Sequence, residues 1–175
     1  MLDRTITPFT LYTCSSRQKG NNVRYPNKVV ISGIEDLRKA AMFDHVAATY
    51  RNNYRLEENF CSSDCLILDS DNDHSDNPVD WKTPDDVAVA FPGVEFYAVE
   101  SRNHMKIKKG KSERPRYHYY FPIHTITDLN EYRWLKKRAT EVFPYFDEAA
   151  NDGARQLFGV VDPQVHYYGG VTNVD

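Results

Sequence analysis

The sequence predicts an α+β fold in which an antiparallel sheet is flanked by helices. An apolar run at residues 64–70 has the length of a buried strand, and residues 116–123 form a second, aromatic run of this kind. Between them, Thr83 and Pro84 precede acidic residues, a pattern typical of a helix start. The chain has 175 residues, 41% of them hydrophobic, so we expect a single domain spanning residues 1–175.

The N-terminal part of the chain predicts a smaller αβ unit. Residues 5–13 are rich in β-branched and aromatic side chains and predict a strand, which a polar loop follows through Asn27. Ser32 can then cap a helix, because a serine side chain accepts a hydrogen bond from a first-turn N–H group. The apolar residues of this helix recur at helical spacing and are Leu37, Ala40, Phe43, Ala47 and Tyr50.

The main sheet is predicted from residue 64 onward. After the strand at 64–70 and the helix at Thr83, residues 94–101 and 116–123 can form an antiparallel pair of strands around a basic loop. A last strand is expected to end at residues 145–147, after a further helix. This order of strand, helix, strand, strand, helix, strand suits an RRM-like sheet, as in RNA-recognition modules.

The second helix of this series has a clear start and a clear end. Asp128 and Glu131 form a plausible capping box, and Pro144 ends the helix. The residues expected to face inward are Leu129, Tyr132, Leu135, Ala139 and Val142. The residues expected on its solvated face are Lys136, Lys137 and Arg138.

Two carboxylates at the end of the first buried strand point to a metal site. Asp69 and Asp71 are two residues apart, so their side chains project from the same face of a strand and repel each other unless a cation lies between them. Oxygen ligands favour Mg²⁺ or Mn²⁺ over zinc. An acidic loop without a metal is an equal alternative on this segment alone, and a calcium loop is a weaker one, since His74 stands where the sharp turn needs Gly.

A basic segment precedes and enters the aromatic strand. Residues 101–118 contain seven Lys and Arg side chains and one acidic residue, Glu113. On the strand, Arg116, His118 and Tyr120 share one face, and cations beside a carboxylate pair suit a triphosphate. The alternative is a solvated basic hairpin with Lys106 to Lys111 as its loop, which is the more common use of such a charge run.

The order of these parts resembles the archaeo-eukaryotic primase superfamily, in particular the primase-polymerase domains of phages, plasmids and integrated elements. The first motif of that family, an apolar run followed by Asp-x-Asp, is matched at residues 66–71. Its small-x-His motif is matched loosely at residues 116–118, where Arg116 replaces the small residue. For its third motif, an apolar residue before an acid, the candidate is Asp147 after Phe146. The resemblance covers roughly residues 60–160.

This resemblance implies a template-dependent nucleotidyltransferase, a DNA primase-polymerase acting in replication of a mobile element. Asp69, Asp71 and Asp147 would hold two ions of Mg²⁺ or Mn²⁺, and His118 would contact the phosphates of the incoming nucleoside triphosphate. The other residues expected to bind the nucleotide are Arg116, Lys106, Lys108 and Arg155, and those expected to bind the single-stranded DNA template are Lys109, Lys111 and Arg114.

The resemblance also implies a setting for the protein. Relatives of this type often continue into a helicase, so Gly169 and Gly170 are interpreted as the start of a linker, and a fused or separate helicase is the expected partner. The sequence lacks an apolar run of about 18 residues and a basic-then-apolar leader, so no membrane association is expected. The expected location is the cytoplasm of a bacterial host.

Several alternatives remain open from the sequence. Asp152 competes with Asp147 as the third carboxylate, with Asp147 then merely capping the next helix. Cys61 and Cys65 are spaced for a zinc site that would need two further ligands, against a default of ordinary thiols. A metal-dependent nuclease and a non-catalytic RRM-like nucleic-acid-binding module are the alternative functions, and a rolling-circle initiator is disfavoured because it needs a His-x-His pair.

Overall fold

The computed structural model describes residues 6–17 and 22–175, and its two antiparallel sheets confirm the predicted α+β class. The strands are β1 (Phe9–Thr13), β2 (Asn27–Ile31), β3 (His45–Val46), β4 (Ala48–Tyr50), β5 (Phe60–Ser70), β6 (Phe96–Glu100), β7 (Tyr117–Ile126) and β8 (Val165–Tyr168). The α-helices are α1 (Ile34–Ala40), α2 (Pro84–Ala90) and α3 (Leu129–Val142). The smaller sheet has the order β2-β1-β3 and the larger one β4-β5-β7-β6-β8.

The predicted series is present as β5-α2-β6-β7-α3 up to its last strand, and the strand that follows α3 is β8 rather than a strand ending at residues 145–147. Strands β5 and β7 pair near the centre of the larger sheet. Side chains alternate across the sheet, so Leu66 and Leu68 pack with α2 and α3 on one face. Cys65 and Ile67 face the other side and pack against the N-terminal unit of β1 and α1. Both faces of the central strands are therefore covered. By the same alternation, Asp69 projects from the face of the sheet that carries Cys65 and Ile67.

Helices α2 and α3 begin where the sequence predicts. The carboxylate of Asp86 accepts hydrogen bonds from the main-chain N–H and the hydroxyl of Thr83, with Pro84 in the first turn. The carboxylate of Asp128 accepts from the N–H of Glu131 at 2.8 Å. Both starts depend on contacts within four residues, which is why the sequence alone identifies them.

The N-terminal unit departs from the prediction in three places. Strand β2 begins at Asn27, where a loop was expected, and pairs with β1. Helix α1 begins after Gly33 rather than Ser32, and it ends at Ala40, so Ala47 and Tyr50 lie in or beside short strands. Strand pairing with β1 and β5 overrides the helical spacing here. Thr5 and residues 18–21 of the predicted loop lie outside the described residues.

Four predictions in the C-terminal part are also wrong. The side chain of Lys136 is buried rather than solvated, whereas Val142 is 52% exposed. Residues 145–147 form a turn before a short 3₁₀ helix at Glu148–Asn151, not a strand. Gly170 is packed so tightly against the main chain of Gly93 and Glu95 that a Cβ atom there would collide with it. The chain around Gly170 is thus part of the folded domain and not the start of a linker.

Candidate active-site cleft

Asp69 and His118 lie opposite each other on the two central strands. They are partners in the β5–β7 register, so their side chains leave the sheet on the same face. That face carries Ile67 and Tyr120 under the N-terminal unit, and it opens beyond them into a cleft of about 270 Å³. The residues lining the cleft are Asp69, Asp71, Ser101, Arg102, Asn103, Lys108, Lys109, His118, Arg155, Gln156, Leu157 and Phe158.

Asp69 is nearly buried at the floor of this cleft. Its Oδ2 pairs with the guanidinium of Arg155, while its Oδ1 is buried and has no hydrogen-bond partner among the described residues. Its main-chain oxygen accepts a hydrogen bond from the N–H of Asp147 at 2.8 Å. This main-chain contact brings the turn that carries Asp147 beside β5, although no strand forms there.

The two candidates for the third carboxylate differ in what they face. Asp147 Oδ1 accepts from the N–H of Ala149 at 3.0 Å, and Asp147 Oδ2 lies 3.9 Å from Nη2 of Arg155. Asp147 therefore caps the short 3₁₀ helix and also faces the cation that pairs with Asp69. Asp152 Oδ1 accepts from the N–H of Ala154 at 2.8 Å, within its own turn. The geometry favours Asp147.

Asp71 is held by two cations from the basic segment. Its Oδ2 pairs with Nζ of Lys108, and its Oδ1 lies 3.8 Å from Nε of Arg116. Arg116 is fully buried, and its Nη1 donates to the main-chain oxygens of Asn103 at 3.0 Å and Lys106 at 2.8 Å. Arg116 thus connects the main chain of the basic loop with the carboxylate of Asp71. Because its side chain is buried, the predicted contact of Arg116 with phosphate does not fit, and its position suits holding Asp71 in place.

The remaining basic residues are divided between the surface and the interior. Arg114 is fully buried and donates to the main-chain oxygen of Asn72 at 2.9 Å and to the carboxylate of Asp76 at 2.7 Å. It braces the acidic loop after β5, so the predicted template contact does not fit its position. Lys106 is exposed and donates to the main-chain oxygen of Arg102 outside the cleft, whereas Lys109 is exposed at the rim of the cleft.

The carboxylates of Asp69 and Asp71 are ligands of the kind that a hard divalent cation prefers, but in this structure they pair with Arg155 and Lys108. Within residues 6–17 and 22–175, no group of three His, Cys, Asp or Glu side chains converges closely enough to hold a metal ion in this arrangement. Asp69 Oδ1 is nevertheless a buried anionic oxygen without a partner, and each of Asp69 and Asp71 pairs with a cationic side chain. An all-oxygen set with unmet negative charge fits Mg²⁺ or Mn²⁺ once the cations move.

His118 is a neutral imidazole at physiological pH. Burial lowers its pKa to about 3, and the positive charges of Lys108 and Arg102 and the proximity of His45 act in the same direction. The ring retains an edge on the cleft, where it is one of the lining side chains. A neutral ring has one N–H donor, so His118 can offer a phosphate oxygen a hydrogen bond without adding a charge.

Sequence reasoning missed several residues of the cleft. The guanidinium of Arg102 lies 3.8 Å from the centre of the Phe158 ring, and both side chains line the cleft. Nε2 of Gln156 is buried without a hydrogen-bond partner among the described residues. Arg102 belonged to the basic segment and could have been selected from it, but residues 156–158 carry no local signal, because the bridge between His45 and Leu157 places them.

Comparison with known structures found a likeness to the AEP domain of the primase-polymerase (PrimPol) of cyanophage S-2L. The TM-score is 0.52, the sequence identity is 12%, and the alignment covers 97% of this chain and 86% of that one. A scan against protein-family models and a search of curated proteins found no match. At this identity the likeness shows the fold alone, which is the α+β architecture of an AEP-like core. No helix in the described residues is both long and apolar enough to cross a membrane.

Proposed function

We propose that the protein is a template-dependent nucleotidyltransferase, a DNA primase-polymerase that adds nucleotides to a primer or starts one. One observation carries the proposal: a single cleft contains the carboxylates of Asp69 and Asp71, the imidazole of His118 and the cations Arg155 and Lys108. Carboxylates for divalent ions and cations for a polyphosphate are the two sets of groups that nucleotidyl transfer needs. The likeness to a primase-polymerase domain supports the same chemistry through its fold.

The roles follow from where the side chains lie. Asp69, Asp71 and Asp147 would hold divalent ions, which when bound lower the pKa of the attacking 3′ hydroxyl and neutralise charge on the triphosphate. Arg155 and Lys108 provide positive charge for the phosphates, and His118 donates one hydrogen bond to a phosphate oxygen. Aligning these groups before reaction lowers the entropic part of the barrier.

The cleft also provides charge for the template. Lys109 is exposed at its rim, and Lys111 lies on the same hairpin, 4.0 Å from the partly compensating carboxylate of Asp76. Exposed cations beside the cleft would hold the phosphates of single-stranded DNA, although the whole chain has a net charge of −3, since the local field attracts the polymer. Arg102 adds a further cation on the cleft wall.

The non-catalytic alternative is disfavoured by the larger sheet. RNA-recognition modules stack bases on aromatic side chains of an open sheet face. In this protein Tyr119 and Tyr120 on β7 are fully buried, under the helices on one side and the N-terminal unit on the other. The nuclease alternative uses the same carboxylates, and the fate of the primer separates it from the polymerase.

The direct test is incubation with a primed single-stranded template, a divalent ion and labelled nucleotides. Extension of the primer is expected, and Asp69→Asn and Asp71→Asn should each abolish it. Asp162→Asn removes an exposed carboxylate outside the cleft and serves as the matched control. Shortening of the primer would support the nuclease instead, and binding without any change in primer length would support the RRM-like module.

A further inference from the structure

We infer that Arg155 and Lys108 act as exchangeable counter-ions: they neutralise Asp69 and Asp71 before a metal binds, and a divalent ion releases them to the nucleotide's phosphates. This inference rests on the proposed function, because it requires that the metal and the triphosphate bind in the same cleft. It adds that metal binding and nucleotide binding are linked through two named side chains. The free protein would then resist metal binding until nucleotide is present.

Arg155 lies where it must be displaced for a metal to bind. Its Nη2 pairs directly with Asp69 Oδ2 and lies 3.9 Å from Asp147 Oδ2, so one guanidinium nitrogen lies near both carboxylates. The side chain is 27% exposed and lines the cleft. Its Nε is buried and has no hydrogen-bond partner among the described residues. The charge of Asp69 is therefore the main contact that holds the guanidinium in this position.

Lys108 makes the corresponding pair with Asp71 from the other wall of the cleft. Its Nζ contacts Asp71 Oδ2, and the main chain of Lys108 is bridged to Lys111 at the end of a hairpin. Lys109 and Gly110 between them have positive φ angles of 49° and 76°, which fit a tight turn. The side chain of Lys108 is 26% exposed, so it has room to swing into the cleft while its main chain stays in place.

Metal binding and nucleotide binding are coupled because a metal ion competes with Arg155 and Lys108 for the same carboxylate oxygens. A carboxylate oxygen that accepts from a guanidinium or ammonium is not available as an inner ligand of Mg²⁺, which requires close octahedral contacts. Asp69 Oδ1 is unpaired, but a metal that also binds Asp69 Oδ2 and Asp71 Oδ2 must break both ion pairs, which lowers its affinity for the free protein. Once freed, Arg155 and Lys108 add two unpaired positive charges to the cleft, and the triphosphate binds more tightly. Linkage requires that nucleotide raise the metal affinity by the same factor.

The first experiment compares Mn²⁺ binding by the 175-residue chain and by Arg155→Gln, without nucleotide. Removing the competitor should tighten Mn²⁺ binding by about fivefold, the size of one partly exposed ion pair. The same variant should bind a non-hydrolysable nucleoside triphosphate more weakly than the parent in the presence of Mn²⁺. These two changes have opposite signs, which loss of folding or a purely structural role for Arg155 would not produce.

Lys109→Gln is the matched control. It removes one positive charge from the rim of the same cleft, and the structure pairs Lys109 with no carboxylate among the described residues. Because it breaks no ion pair with Asp69 or Asp71, its Mn²⁺ affinity should stay within about twofold of the parent, the size of a screened surface charge effect. Equal or weaker Mn²⁺ binding by Arg155→Gln relative to Lys109→Gln would overturn the exchange of counter-ions.

A second measurement uses the unmodified protein. In spectra of arginine Nε–H groups, the signal of Arg155, assigned by its loss in Arg155→Gln, should shift when Mg²⁺ alone is added and shift again with nucleotide. A signal that Mg²⁺ leaves unchanged at saturation would overturn the displacement of Arg155. If the parent binds no Mn²⁺ at any concentration, the proposed metal site itself fails, whereas Mn²⁺ binding that Asp69→Asn abolishes but Arg155→Gln leaves unchanged refutes only the exchange.

Discussion

One buried lysine fixes the turn that carries Asp147. Nζ of Lys136 donates to the main-chain oxygens of Ala150 at 2.7 Å and Asp152 at 3.0 Å, and it lies 5.1 Å from the centre of the Tyr132 ring. These hydrogen bonds attach the short 3₁₀ helix after Asp147 to α3. Asp147 then reaches Asp69 through its main-chain N–H. The position of Asp147 is thus set by a residue that the sequence pattern had assigned to the solvent.

Asp147→Asn should raise the Mg²⁺ or Mn²⁺ concentration needed for half-maximal primer extension, by roughly tenfold, because one anionic oxygen is lost from a site that relies on charge to dehydrate the ion. Asp152→Asn should leave that concentration unchanged, because its carboxylate accepts from the N–H of Ala154 in the turn that Asp152 begins. A metal titration of both variants beside the parent is the measurement. A shift in Asp152→Asn alone would reverse the assignment of the third carboxylate.

The buried ammonium of Lys136 makes stability depend on pH in a definite direction. Burial lowers its pKa from 10.5 to about 8, so between these values the unfolded chain binds more protons than the folded one, and stability rises with pH. From pH 8 to 9.5 the free energy of unfolding should rise by about 2 kcal/mol through this group. Lys136→Met lacks the group, so denaturant unfolding should show that the stability difference between parent and variant changes over this range. A constant difference would contradict the buried charge.

At the scale of elements, local signals were sufficient for some segments and tertiary contacts decided others. Helix α2 was predictable from Thr83 and Asp86, which contact each other within one turn. Strand β2 was not predicted, although Val29, Val30 and Ile31 are β-branched, because it has only five residues and its ladder is formed with β1. In the cleft, Asp69, Asp71 and His118 follow from strand periodicity, but Gln156 is brought there by the contact between His45 and Leu157.

The two sheets are joined by a polar contact that acid should break. His45 on β3 accepts at Nε2 from the hydroxyl of Tyr120 on β7, at 2.8 Å, and donates from Nδ1 to the main-chain oxygen of Phe43. Burial lowers the pKa of His45 from 6.5 to about 4. Between these pH values the unfolded chain binds a proton at this residue and the folded chain does not. Stability should therefore fall as pH drops from 6.5 to 4, by roughly 3 kcal/mol from this residue.

The matched variant for this contact is His45→Gln, whose amide can accept from Tyr120 and donate to Phe43 without titrating. Loss of the ring lowers its stability at pH 7, so slopes are compared rather than absolute values. Thermal unfolding between pH 7 and 4 should show a shallower decline for His45→Gln, although His118 still contributes some acid sensitivity through its own lowered pKa. Parallel declines in the parent and in His45→Gln would show that His45 does not titrate between the sheets.

At the scale of the whole molecule, charge is segregated rather than balanced. The chain has 22 basic and 25 acidic residues, yet seven of the basic residues lie in residues 101–118, around the cleft. Two of these, Arg114 and Arg116, are buried against the acidic loop, which leaves the exposed lysines of the hairpin to act on a polyanion. The sequence identified the charged segment correctly, but it could not divide the segment into structural and exposed members, because burial depends on the fold.

This division gives a prediction for template binding. Replacing Lys109 and Lys111 together by Gln should weaken binding of single-stranded DNA and reduce the slope of log affinity against log salt by about 1.4, since each lost contact on a single strand contributes about 0.7. Lys137→Gln with Arg138→Gln removes the same charge from the exposed side of α3 and should leave the slope unchanged, because those residues lie away from the cleft. Fluorescence titration of a labelled oligonucleotide at several salt concentrations separates the two variants. Equal slopes in all three proteins would mean that the hairpin is only a solvated surface, and the template would then have to approach the cleft by another path.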